Sequence, residues 1–199
     1  MITRKEMTRM LLKEGLLSCL ENYSFESLTV TLLCKASGIT RSTFYLHYSN
    51  IMEIVDDLVD DAIAYSRPGM VDNNNLQTIA QTLSAASDSV SLRESYDSIF
   101  DRLPLCQRII RHKKYLPLFL DDQISEYVLQ RIIGREKDRQ GLVIAESLGV
   151  SFDVGVSVFV FLVHGLYAVN KQYKWSQSDE WLEAQKVIFE LVCRGLHRK

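Results

Sequence analysis

Apolar residues along this chain fall mostly at helical spacing, and stretches that alternate apolar with polar are few. The pattern predicts an all-α protein with no obvious place for strands. A first helix is expected over about 3–21, with Met7, Leu11, Leu17 and Leu20 on its apolar side and Arg4, Lys5, Arg9 and Lys13 exposed near its start. Two short helices follow within 29–48, then a fourth over about 50–66, where Ile51, Ile54, Val55, Leu58, Val59 and Ile63 recur at helical spacing. Arg67 to Asn75, RPGMVDNNN, breaks the pattern, because Pro-Gly and three asparagines do not continue a helix comfortably. The domain boundary is placed there, giving units of 1–66 and 67–199. Further helices are expected near 76–87, 92–112 with a break or kink at Pro104, 116–137 with Pro117 in its first turn, 147–173 and 178–196.

The stretch TVTLLCKASGITRSTFYLHY, residues 29–48, is the most specific. Thr29 is placed to cap a helix whose inward positions are Val30, Leu33 and Cys34, and Gly38 suits the left-handed turn that ends it. Ile39 anchors the turn. Thr40 then caps a second helix that carries Arg41, Ser42 and Thr43 on its first turn, followed by Tyr45, His47 and Tyr48. No acidic residue lies between Ser27 and Tyr48. Periodicity alone leaves a plain helical hairpin with exposed caps equally open.

The wording of Ser27 to Val55, SLTVTLLCKASGITRSTFYLHYSNIMEIV, closely resembles the N-terminal domain of the tetracycline-repressor (TetR/AcrR) family of bacterial regulators, above all in ITRSTFYLHY. The resemblance implies a three-helix, helix-turn-helix DNA-binding domain followed by a larger helical domain for ligand binding and dimerisation. Carried over residue by residue, it makes Thr29, Thr31 and Lys35 on the first helix of the pair, and Thr40, Arg41, Ser42, Thr43, Tyr45 and His47 on the second, the candidate contacts to double-stranded DNA. Arg41 would pair with a guanine or hold a phosphate, and Tyr48 would be half-buried support. The chain departs from the family at the start of the fourth helix, where a phosphate-binding lysine is usual and Ile51 stands here.

The last two predicted helices carry wide apolar faces. Val156, Phe159, Val160, Val163, Leu166 and Tyr167 lie on one, with Gly155 and Gly165 leaving room for close approach; Trp181, Ala184, Ile188, Leu191, Val192 and Gly195 lie on the other. So much apolar surface suggests packing against a second copy as a four-helix bundle, with Phe159, Val163, Tyr167, Trp181, Ile188 and Leu191 as dimerisation residues; the alternative is the core of a single chain. FVFLVHGLYAVNKQYKW and SQSDEWLEAQKVIFELVCRGL also resemble, more loosely, the helix pair through which that family dimerises. In the central region Tyr96, Phe100, Phe119 and Tyr127 are candidates to line a small-molecule effector cavity, against ordinary core. The cluster Arg108, Arg111, His112, Lys113, Lys114 suits an anion or a solvated helix end.

Composition and charge add limits. A chain of 199 residues, 47% hydrophobic, can bury a sizeable core, and a net charge of −2 is unlike that of a protein that coats nucleic acid without selectivity. Locally, six basic residues face four acidic ones in 1–48, while 49–66 holds five acids and no base. That asymmetry suits a basic head on an acidic stalk, with Arg4, Lys5, Arg9 and Lys13 in reach of a DNA backbone. The four cysteines are widely spaced, without a CxxC pair or a histidine at ligand spacing, so they read as buried small residues of a reducing cytosol, and no metal or cofactor is expected. No signal peptide is read before the first helix. VGVSVFVFLV, 154–163, is too short to span a membrane and reads as a buried helix. No Ser/His/Asp grouping, metal cluster or phosphate-cradling loop points to an enzyme. The expectation is a cytoplasmic, dimeric, ligand-responsive repressor that reads a palindromic operator; the alternative is a helical adaptor of the same fold that has lost operator binding.

Overall fold

The computed structural model describes residues 3–66, 76–103, 105–108 and 113–196. These residues are helical, with no strand among them. In chain order the helices are α1 (Arg4–Leu20), α2 (Val30–Ser37), α3 (Arg41–Tyr45), α4 (Ile51–Ser66), α5 (Leu76–Ser84), α6 (Ser89–Ser98), α7 (Leu105–Arg108), α8 (Pro117–Leu120), α9 (Ser125–Leu148), α10 (Phe152–Gln172) and α11 (Asp179–Leu196), with single 3₁₀ turns at Phe25–Ser27, Phe100–Arg102 and Lys113–Tyr115. The chain divides into two units, Met1–Ala64 with His112–Ile132, and Tyr65–Arg111 with Ile133–Lys199. Residues 112–132 thus group with the N-terminal helices, whereas the sequence pattern placed them in the larger unit. The break at 67–75, Pro104, Arg111 and His112 lie outside the described residues.

In the first unit the helix ends follow local chemistry. Thr3 caps α1 by accepting the Glu6 N–H, and the Glu6 carboxylate accepts the Thr3 N–H in return at 2.7 Å. The Thr3 N–H, then the Thr3 hydroxyl, which donates to the same carboxylate oxygen at 2.8 Å, hold the Glu6 carboxyl below its ordinary range. The buried face of α1 is Thr8, Leu12, Leu16, Leu17 and Cys19, while Met7 is exposed and Leu11 only half-buried, so the expected apolar side is corrected by a fraction of a turn. Gly15 sets that orientation. A Cβ there would stand 2.8 Å from the Ser37 Cβ, which means that α1 and α2 touch through their backbones. On α4, Ile54, Val55, Leu58, Val59 and Ile63 are buried as the spacing predicts.

The helix expected over 116–137 is two. Pro117 opens the single turn of α8, and the chain then stops at Asp121, whose carboxylate accepts the N–H groups of Gln123 at 2.9 Å, Ile124 at 3.2 Å and, from far along the chain, Phe25 at 2.7 Å. α9 restarts at Ser125 and runs on to Leu148, through 138–146, which the sequence pattern left between two expected helices. Gly149, at φ 63°, ends it.

In the second unit, α11 packs on α5 and α6, and α10 packs on α7. Trp181, fully buried, meets the Tyr96 ring edge-on at 5.1 Å, and its Nε1 donates to Asn170 Oδ1 at 2.9 Å. α9 and α10 meet at two glycines, where a Cβ on Gly155 would stand 2.2 Å from the Gly141 carbonyl oxygen. The close approach expected at Gly155 is therefore made within the chain, and Gly165 faces open space. The expected dimerisation residues differ in their burial within the single chain. Phe159, Val163, Tyr167 and Trp181 belong to the core of their own unit, Ile188 is half-buried, and of the six only Leu191 is exposed, at 66%. The large exposed apolar residues on the two helices are instead Phe152, Val154 and Phe161 on α10, with Val187 and Leu191 on α11.

α10 is also longer than the apolar run suggested. Its 21 residues suffice by length and composition to cross a membrane, so shortness is no argument against that; one third of its apolar window is buried inside the protein.

Candidate nucleic-acid interface

The region that sequence singles out is built on α2 and α3. Thr29 accepts the Leu32 N–H at 3.2 Å and starts α2, and Gly38, at φ 67°, ends it in the left-handed conformation that a side chain disfavours. Thr40 accepts the Thr43 N–H at 3.2 Å and starts α3, with the Ser42 and Thr43 hydroxyls 3.0 and 2.9 Å from its own. α3 is short. Its helix ends at Tyr45, and a tight turn carries Leu46 to Tyr48 back onto the Phe44 carbonyl, which accepts the His47 N–H at 2.9 Å and the Tyr48 N–H at 3.0 Å.

Phe44 is fully buried and stacks edge-on with Tyr45 at 5.1 Å, so one apolar side chain fixes α3 to the core and turns its neighbours outward. Thr29, Thr31, Lys35, Thr40, Arg41, Ser42 and Tyr45 are exposed; Thr43 and His47 are half-buried. The His47 Nδ1 is enclosed without a hydrogen-bond partner. Leu46, which sequence reasoning passed over, is 81% exposed beside Tyr45. The candidate contacts on α3 therefore share one stretch of surface chain, and Ile51 begins α4 half-buried.

Behind this surface lies a polar network that the sequence pattern did not yield. The Tyr48 hydroxyl, on a side chain 3% exposed, donates to Asp57 Oδ2 at 2.6 Å. Arg9 Nε donates to the same carboxylate oxygen at 3.1 Å and to the Tyr48 hydroxyl at 3.2 Å, with its guanidinium 5.1 Å from the Tyr48 ring centre. One turn along both helices, Lys13 pairs with Asp61. The Asp57 bond, then the Tyr48 bond, drive the Arg9 pKa up; burial, then Asp57, raise that of Tyr48. Arg9 and Lys13 are thus engaged by α4, which corrects the expectation that they face a DNA backbone. A signal was present in the sequence: 9 and 13 on one helix match 57 and 61 on the other, each pair one turn apart. Asp56 is engaged as well, accepting from the Tyr127 hydroxyl at 2.7 Å and from Arg131 at 2.8 Å.

No protein-family model, curated protein or solved structure matches this chain. Among the described residues no group of three or more His, Cys, Asp and Glu side chains converges as a metal site would require. Cys19 and Cys34 are buried, and burial raises both thiol pKa values.

The candidate effector residues are divided between the two units. Tyr96 and Phe100 belong to the second unit, their rings 6.5 Å apart, with Tyr96 fully buried against Trp181. Phe119 is core of the first unit, and Tyr127 is a partly exposed partner of Asp56 in that same unit. None of the four lines the 730 Å³ cleft between the starts of α6 and α11, whose walls include Asp88, Glu180, Glu183 and Lys186.

Proposed function

We propose that this protein is a dimeric, sequence-specific DNA-binding regulator of transcription, a cytoplasmic repressor relieved by a small ligand, with no enzymatic activity. The observation that carries the reading is the way α3 is presented. Its one core residue, Phe44, is fully buried, while Arg41, Ser42 and Tyr45 stand exposed on a segment free of carboxylates, and the sequence of that segment resembles the DNA-reading helices of TetR/AcrR regulators. A guanidinium in that position pairs bidentately with guanine or neutralises a phosphate, and the neighbouring hydroxyls add shorter-reach contacts. The second copy that a palindromic site requires would cover the exposed Phe161, Val187 and Leu191.

Gel-shift titration against duplexes from around its own gene tests the reading, with Arg41→Ala expected to weaken specific binding by about 1–3 kcal/mol. Absence of a shifted species at micromolar protein in low salt would remove DNA from the proposal. A second reading, a helical adaptor without operator binding, is favoured by the engagement of Arg9 and Lys13 with α4 and by Ile51 in place of a lysine. Sedimentation separates the parts: a dimer that binds no duplex supports the adaptor, and a Leu191→Glu chain that still dimerises removes α11 from the interface.

A further inference from the structure

Polar atoms inside the second unit are left unmatched by its own side chains. Gln185, on α11, is fully buried, and neither its Nε2 nor its Oε1 has a partner. Gln107, on α7 and also fully buried, accepts from the Tyr96 hydroxyl at 3.2 Å but has no partner for its Nε2. The Tyr167 hydroxyl, on a buried side chain of α10, has none either. Buried amides and hydroxyls are almost always matched in folded proteins, so three in one unit call for a physical cause.

The packing connects them. Tyr96 bonds Gln107 and stacks on Trp181, Gln185 lies one turn beyond Trp181 on α11, and Trp181 donates to Asn170, one turn beyond Tyr167 on α10. Gln107 and, by helical spacing, Gln185 thus flank the Tyr96–Trp181 pair, and Tyr167, whose ring meets Trp175 at 5.7 Å, lies one turn from the Asn170 that Trp181 bonds, along a seam of α6, α7, α10 and α11.

We propose that this seam is the ligand site of the protein and takes a small, neutral carboxamide with a flat apolar body. An amide is the complement of Gln185, because it returns an acceptor to Nε2 and a donor to Oε1 in one planar pair. Gln107 Nε2 and the Tyr167 hydroxyl supply further donors to a carbonyl, and Tyr96 with Trp181 offers apolar surface to the rest. None of these side chains is charged, so an ionised ligand would lose its hydration without a counter-charge. The inference rests on the ligand-responsive part of the proposed function and gives that ligand a place and a chemistry.

Thermal unfolding followed by tryptophan fluorescence tests it, since the two tryptophans, Trp175 and Trp181, both lie in this unit. Benzamide at ten times its Kd should raise Tm by about 3–6 °C, whereas toluene, which lacks the amide, and benzoate, which is charged, should not. Gln185→Leu, which removes both unmatched atoms at similar volume, should abolish that shift. Tyr167→Phe, which removes a single hydroxyl, should reduce it and serves if Gln185→Leu does not fold. No benzamide shift, or equal shifts with benzamide and toluene, overturns the proposal and leaves these atoms to buried water. A benzamide shift unchanged in the variants overturns it too. No DNA enters the measurement, so a failed gel shift and a failed ligand shift are told apart.

Discussion

Among the described residues of the first unit the buried polar groups include the hydroxyls of Thr8, Tyr48 and Ser125, and charge is paired at the rim, where Arg9 meets Asp57 and Lys13 meets Asp61. In the second unit Gln107, Arg108, Glu136, Gln140, Asn170 and Gln185 are all buried, three of them completely. The same helical repertoire has thus been built in two ways. An apolar core with ion pairs around it suits short helices that must hold one arrangement and present a surface. A core containing amides is less stable than an apolar one of the same shape, and it keeps hydrogen-bonding capacity where water is excluded.

Removing the centre of the polar core should have the largest effect. Trp181→Ala deletes a fully buried side chain together with its bond to Asn170, and is expected to cost about 3–5 kcal/mol. Urea unfolding read by Trp175 fluorescence measures it, and a loss under about 1 kcal/mol would mean that the second unit is not organised around this residue. The first unit is tested at its helix contact. Gly15→Ala forces a Cβ to 2.8 Å from that of Ser37 and should cost about 1–3 kcal/mol, whereas Gly165→Ala, into open space, should be neutral or stabilise by up to about 1 kcal/mol. Equal effects at the two positions would deny that α1 and α2 are fixed by backbone contact.

Alkali gives the smallest and most selective difference. Burial, then the bond to Asp57, raises the Tyr48 pKa, and burial, then Asp56, raises that of Tyr127; both residues lie in the first unit. A phenol whose pKa is raised by folding contributes stability that is complete below its ordinary range, near ~10, and is lost as pH climbs from there toward the folded value. Between about pH 9 and 11, Tm by circular dichroism should fall less in Tyr48→Phe than in the wild type. Equal slopes would show that Tyr48 does not sense alkali through Asp57.

How far sequence reached depends on how far apart the partners lie. The caps at Thr29 and Thr40 and the turn at Gly38 are short-range chemistry, and each was legible. The stop at Asp121 was not, because its carboxylate is held partly by the Phe25 N–H from across the fold. The α9 extension was hidden for a related reason: Gly141 falls between the expected helices 116–137 and 147–173, and it admits Val156, whose Cγ2 would stand 2.5 Å from a Cβ. In the candidate site, exposure of Arg41, Ser42 and Tyr45 followed from the local pattern, while the engagement of Arg9 needed two helices to be set side by side. The burial of the expected dimerisation residues was not legible, because an apolar face does not announce which neighbour it meets; Trp181 meets Tyr96 of its own chain.

The glycine crossing of α9 and α10 has a mechanical meaning. With Gly155 set against the Gly141 carbonyl, the helices approach where a Cβ at 155 would stand 2.2 Å from that oxygen, and the residues one turn to either side, Ser151 and Phe159, both carry one. Sliding one helix along the other by a turn, about 5.4 Å, is therefore blocked. The crossing has one setting along the length of the pair, so the two glycines fix the register in which α9 and α10 meet.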